Sequence, residues 1–276
     1  MTRRRKSGPS TAELREALRS LVAQAKESDL TARRRRALEG EIRDIVGELG
    51  HLLGQLDPIS EPTAVFDPSN PKIVGRFVAL ALVAQPRLSL TDIPKVYGSG
   101  IYAFYYRGQF PEYAPISGTE TPIYVGTASP AVANARTPFE QGDRLSARIG
   151  YHAGNISKAT STLALADFEF RSLVVQSGWE KQAESYLIHL FHPVWNKETR
   201  ILPGFGKHGD SASMRQHGRS PWDTLHPARA WAGQSQSDQK PVSQIRAELA
   251  AHFVKHQPYD AVEEVLADFL EELSQT

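Results

Sequence analysis

The chain has no cysteine in its 276 residues, which excludes disulfides, thiolate zinc sites and cysteine nucleophiles together. Long hydrophobic runs are missing too. The longest, Phe77 to Ala84, is far too short to cross a bilayer. Arg3-Arg4-Arg5-Lys6 imitates the basic start of a secretion signal, but polar residues follow and no apolar segment does. These absences lead to an expectation of a cytoplasmic protein with no membrane partner. Net charge is nearly absent as well, at +1, and there is no internal repeat.

That balance hides an asymmetry. Residues 1–36 carry eleven Lys/Arg against four Asp/Glu, whereas residues 259–276 carry six acids and no base. A basic end favours phosphate-rich partners and an acidic tail disfavours them, although solvated helix faces give the same composition. Forty per cent apolar content over this length is enough for a sizeable core.

Apolar spacing predicts a helix over about 11–26, on Leu14, Leu18, Leu21, Val22 and Ala25. A longer one follows, on Leu38, Ile42, Ile45, Val46, Leu49, Leu52, Leu53 and Leu56, and Pro58 stops it. Together they make an αα-hairpin that needs another apolar surface to cover it. Arg33–Arg36 sits near its turn. Residues 57–70 read as a linker, and a helix over about 71–85 follows, with Val74, Phe77, Val78, Leu80 and Ala81 expected inside.

The centre is GSGIYAFYYRG, a long loop over 109–121, and then TPIYVGTAS. Alternation puts Ile101, Ala103 and Tyr105 on one face of a strand and Tyr102, Phe104 and Tyr106 on the other; Tyr124 sits in the second strand. FEFRSLVVQ, 168–176, is the third. A helix from Asp143 buries Leu145, Ile149 and Ile156 and carries Arg144, Arg148 and His152 at four-residue spacing. Another, 179–191, sets Glu184 beside an apolar stripe; an ionised carboxylate there needs a cation or a metal. Helices over about 243–256 and 259–274 end the chain. The division expected is 1–57, a basic helical arm; 58–95, linker and helix; 96–232, the chemical domain; and 233–276, acidic C-terminal helices.

Gly100-Ile101-Tyr102 and Tyr124-Val125-Gly126 match the two signatures of the GIY-YIG nucleases, the second with Val for Ile. Arg148-x-x-x-His152, Glu184 and Trp195-Asn196 follow in the right order. The chain therefore resembles that superfamily. With YYRG, the R-I-x-x-H-x-x-N-I helix, GFG-x-H and W-D-x-x-HP-x-R-x-W, it is similar over about residues 95–232 to the type II restriction enzymes that cut CCGCGG. The resemblance implies an α+β fold, a small three-stranded antiparallel sheet flanked by helices, here with the N-terminal hairpin and C-terminal helices added. It also implies catalytic roles for Tyr102, Tyr124, Arg148, His152, Glu184 and Asn196, with Glu184 holding one Mg²⁺.

The residue types suit the chemistry. Phosphodiester hydrolysis gathers negative charge on the phosphoryl and leaving oxygens, which a guanidinium and one divalent cation stabilise. One carboxylate suits Mg²⁺, which keeps most of its waters. A phenolate at Tyr102 costs roughly 4 kcal/mol at pH 7 from its ordinary pKa of about 10. The resemblance makes Tyr102 the general base, with a neutral His152 assisting and Tyr124 positioning. A G/C-only site is read by cations at guanine edges; Lys207, His208, Arg215, Arg219, Arg144 and Arg107 are the DNA-binding candidates. His189-x-x-His192 reads as structural.

A palindromic site in double-stranded DNA cut by one active site per chain calls for a two-fold dimer or a higher homo-oligomer, and the hairpin is the expected surface. The host would need a cognate DNA methyltransferase. Two rival readings stand: a GIY-YIG repair or mobile-element nuclease, and a DNA-binding protein on an inactive nuclease fold.

Overall fold

The structure, a computed structural model, describes residues 11–27, 32–56, 59, 66–176, 178–206, 218–235 and 237–274. The chain forms two compact units, Met1–Thr63 and Ala64–Thr276. In the first, α1 (Thr11–Glu27) and α2 (Ala32–Leu56) are the two helices the spacing predicts. Ile45, Val46, Leu49, Leu52 and Leu53 of α2 stay between 42 and 65 % exposed. No described helix is long and apolar enough to cross a membrane.

The second unit is built on an antiparallel sheet of β1 (Leu88–Ser89), β2 (Gly100–Tyr106), β3 (Tyr124–Ala128) and β4 (Phe168–Val174), in the order β1-β4-β2-β3. The fold is α+β, as expected. Its sheet has four strands where three were expected, because β1 is only two residues long and offers no alternation to read.

Every residue of β2 is buried, since layers cover both its faces. Tyr102, Phe104 and Tyr106 enter one cluster with Leu145, Ile149 and Ile156 of α5 (Arg144–Ile156) and with Trp195, Phe205 and Trp222. Ile245 and Leu249 of α8 (Val242–Lys255) close that side. Ile101, Ala103 and Tyr105 enter the other cluster, against α3 (Pro71–Val83), α6 (Glu180–Phe191) and Val265 of α9 (Val262–Ser274). The period-two reading of β2 therefore fixes which aromatic faces which layer. Two short helices, α4 (Pro138–Gln141) and α7 (Pro221–Leu225), complete the unit.

One helix is rotated from expectation. Asn70 and Pro71 start α3 as a cap and first-turn proline, but it buries Ile73, Gly75, Ala79, Leu82 and Val83. Phe77 is 47 % exposed and meets Phe269 of α9 edge-on at 5.9 Å. Gly75 sets this face: a Cβ there would lie 2.9 Å from the Gln182 backbone, so α3 crosses α6 at the glycine.

Candidate active site

Beyond the free edge of β3 lies a cleft of about 350 Å³, walled by Tyr124, Arg148, Glu184, Trp195, Asn196, Lys197 and Glu198. β3 supplies the tyrosine, α5 the arginine and α6 the glutamate. Tyr102 stands behind this wall, wholly buried.

Gly126 is what lets the phenol reach there. It pairs with Tyr102 across the β2–β3 ladder, and a Cβ on it would sit 2.5 Å from the Tyr102 Oη. The last residue of the Tyr-Val-Gly signature thus has a steric reason. The Tyr102 and Tyr124 rings lie 6.2 Å apart, centre to centre. The buried Tyr102 hydroxyl makes no hydrogen bond of ordinary length. Burial drives its pKa well above the usual phenol value, and Tyr124 adds to the rise while Arg148 opposes it. Burial likewise pushes Tyr124 up to about 12 against the pull of Arg148. Both phenols therefore rest protonated at neutral pH.

The four-residue spacing of Arg144, Arg148 and His152 does not give one cationic stripe. Each four-residue step turns about 40° around a helix. Arg144 is exposed, Arg148 half-buried and His152 fully inside. The His152 ring stacks on Phe205 at 4.6 Å and lies 5.2 Å from the Tyr124 ring and 5.9 Å from that of Tyr102.

Phe205 is itself held. Arg229 donates to the Gly204 carbonyl at 2.9 Å and to the Phe205 carbonyl at 3.4 Å. Its Nε and Nη2 bind both carboxylate oxygens of buried Asp223 at 2.6 and 2.7 Å, and its guanidinium packs against the rings of Trp222 and Trp231. The Asp223–Arg229 pair is thus internal scaffold, and the fully buried Trp222 is a packing anchor.

Glu184 is half-buried, and among the described residues only the Thr127 hydroxyl donates to it, at 3.4 Å. Burial and the neighbouring Glu198 raise its pKa, more than Lys197 and Lys181 lower it. A half-desolvated carboxylate this weakly served is short of positive charge. Among the described residues no three His, Asp or Glu converge on one point, so the donor set fits a cation that keeps most of its own waters.

Asn196, in the wall of the cleft, also braces the strand beside it. Its Oδ1 accepts from the Val125 N–H at 2.9 Å and its Nδ2 donates to the Val125 carbonyl at 2.8 Å. The amide stands in for a further strand on the free edge of β3, so Asn196 positions Tyr124 by fixing its neighbour.

The DNA-binding candidates scatter. Lys207, His208 and Arg215 lie outside the described residues. Arg219 is part-exposed, and its Nε and Nη2 donate to Asp238 at 2.6 and 3.1 Å. Arg107 is exposed and paired with Glu169 at 2.6 Å. Arg144, also exposed, donates to the Ser129 carbonyl at 3.4 Å. His189 and His192 stand 6.1 Å apart with His192 in a left-handed cap, as a helix end rather than a metal pair. Thr127, Glu198 and Phe205 escaped the sequence reading; only the adjacency of Thr127 to Gly126 and of Glu198 to Asn196 marked the first two.

A family model described as the Eco29kI GIY-YIG domain matches residues 94–253, beyond the 95–232 span of the sequence motifs and through most of α8. No curated protein matches the chain.

Proposed function

Since the chain belongs to the Eco29kI GIY-YIG domain family of nucleases, we propose that it is a type II restriction endonuclease cutting double-stranded DNA at a short palindromic site, with CCGCGG the first sequence to test. The observation that carries this reading is the convergence of Tyr124, Arg148 and Glu184 on one cleft, with the buried Tyr102 phenol behind it under the influence of Arg148.

Arg148 holds the phosphate, its guanidinium steadied over the Tyr151 ring at 5.5 Å. GIY-YIG nucleases are generally metal-dependent. Glu184 would hold the divalent cation, Mg²⁺ in this reading, and that ion when bound supplies charge for the phosphoryl and leaving oxygens. Tyr102, a phenol at rest, passes its own proton to neutral His152 as it takes the proton of the attacking water. Because its phenolate lies more than about 4 kcal/mol above the phenol at pH 7, the proton moves during attack rather than before it. His152, 5.9 Å away ring to ring, is the group placed to relieve Tyr102. Tyr124 orients the substrate, and Asn196 holds β3 in place beneath it.

Two cuts in a palindrome need two chains. Leu38, Ile42, Ile45, Leu49, Leu52 and Leu56 of α2 alternate four- and three-residue steps, the a/d seam of a coiled coil, and Val46 and Leu53 widen it. A bare amphipathic helix is marginal in water, so the hairpins of two chains cover each other. Sedimentation of a Leu49→Asp/Leu53→Asp variant is expected to show monomers where the wild type is a dimer. An unchanged dimer would sink this interface. In this reading the enzyme acts in the cytoplasm beside a methyltransferase of the same site.

Plasmid incubated with the protein and Mg²⁺ should give discrete fragments with mappable ends. Nicks that follow DNA structure would favour a repair role, and tight binding without cutting an inactive fold.

A further inference from the structure

A second cavity, of about 420 Å³, opens between α3, α6 and α9, away from the cleft. Lys72 and Arg76 of α3, Lys181, Tyr186 and His189 of α6, and Glu272 of α9 line it. One carboxylate faces three permanent cations. Arg76 lies 3.7 Å from Glu272, and among the described residues neither lysine has an acidic partner within ion-pair distance. The Tyr186 ring lies under the Arg76 guanidinium at 5.6 Å, which leaves the two lysines as the cavity's uncommitted cations. Elsewhere in this protein clustered arginines are paired: Arg87 and Arg171 share Glu120 at 2.9 and 2.7 Å. Like charges gathered around an open cavity with donors left over suit an anion from outside.

Placement says which anion. Lys181 is one turn before Glu184 on α6, and its charge reaches that carboxylate. With the scissile phosphate read between Arg148 and Glu184, a neighbouring backbone phosphate is the polyanionic group closest at hand for Lys181 in the first turn of α6.

We propose that the cavity between α3 and α6 seats a backbone phosphate of the substrate DNA flanking the scissile one, held by Lys72 and Lys181. This rests on the nuclease reading. Lysines serve here as point charges that carry no sequence information. Half of the site, α3, precedes residue 94, where the family match begins, so the contact reaches outside the matched domain.

Fluorescence anisotropy on a duplex containing CCGCGG, with Ca²⁺ in place of Mg²⁺ and salt varied, tests it. Losing one phosphate contact lowers the slope of log affinity against log salt by about 1. Lys72→Gln/Lys181→Gln should show that loss with about tenfold weaker binding at low salt. Glu272→Gln should bind more tightly, and Lys255→Gln on α8 should match the wild type. Both cavity lysines are exposed, so melting temperatures should hold. A wild type that neither binds nor cuts DNA sinks the nuclease reading and this site with it. A wild type that cuts, beside a double variant of unaltered slope, overturns the site alone. So does a double variant that loses only inorganic phosphate binding by calorimetry, which would make the cavity a free-anion site.

Discussion

Two buried tyrosines three residues apart on β2 face opposite layers of the protein, and they are provided for in opposite ways. On the α3/α6 face the Tyr105 hydroxyl accepts from Arg171 at 3.2 Å. The Arg87 and Arg171 guanidinia lie 4.0 and 5.0 Å from its ring centre, and both arginines are neutralised by Glu120. On the α5 face Tyr102 is just as buried, yet its hydroxyl makes no ordinary hydrogen bond and looks toward a cleft. Burying a hydroxyl unpaired costs about 1–3 kcal/mol. A fold that pairs one tyrosine firmly and leaves its near neighbour only loosely held marks the second as reserved for chemistry.

The widest separation between the two faces should be in activity. Tyr102→Phe and Glu184→Ala are expected to lower plasmid cleavage at least about a thousandfold while DNA binding stays near wild type; the loss of a proton acceptor or of the charge-stabilising ion is of that order. Tyr105→Phe should cut within a few-fold of the wild type. Equal losses at Tyr102 and Tyr105 would erase the distinction, because both would then act through the sheet.

In stability the ranking reverses toward the scaffold. Asp223 and Arg229 are both almost fully buried, and they fix the turn that puts Phe205 against His152. Asp223→Asn leaves the guanidinium short of its counter-charge and should cost about 3–5 kcal/mol in urea unfolding. Removal of Glu120 exposes two arginines that still reach some water, at 14 and 8 % side-chain exposure, and should cost less. If Glu120→Gln proved the more harmful, the α3/α6 face would be the more tightly braced one.

The α5 face should also carry an acid sensitivity. His226 is buried, with its ring nitrogens against the Tyr113 and Thr162 hydroxyls at 2.5 and 2.8 Å, and burial lowers its pKa to about 3. The unfolded chain takes up that proton near the ordinary value of about 6.5. Its contribution is therefore complete above about 6.5 and falls away as the pH drops toward 3, because the unfolded state then binds more protons. Between pH 7 and 5 the protein should lose about 2 kcal/mol on this account. His226→Phe should be less stable at pH 7 but change less across that interval. A variant with the wild-type pH slope would locate the sensitivity elsewhere, as at His192, whose pKa burial and neighbouring histidines lower to about 4.

What was legible in the sequence follows from the same contrast. Alternation along β2 gave both tyrosines their faces, and signature spacing brought Tyr102, Tyr124, Arg148 and Glu184 to one place, because sheet period and helix period are local properties. The hydrogen-bond partners of Asn196, Arg219 and Arg229 were not legible. Each is a residue distant in the chain or a backbone group, such as Val125 for Asn196, that no spacing rule names. The face of α3 was misread for a similar reason, since Gly75 answers to the Gln182 backbone rather than to its own helix.

The smallest expected effect is the most direct test of the opening contrast. Tyr105→Phe strips an acceptor from Arg171, which keeps the Gln85 carbonyl at 2.8 Å and Glu120 at 2.7 Å, so the loss should be about 1 kcal/mol. Tyr102→Phe removes a polar atom that was buried without a hydrogen bond of ordinary length, and the same measurement should return a gain of up to about 1 kcal/mol. The signs matter more than the sizes. Conservative loss of one oxygen on either side of a single strand should destabilise on the paired face and stabilise on the idle one. Urea unfolding of the two variants, done together at pH 7, reads this directly. A loss at both positions would mean that the Tyr102 hydroxyl is held in solution by a group such as Arg148 strongly enough to count as structure, and its reserve for catalysis would have to be argued from kinetics alone.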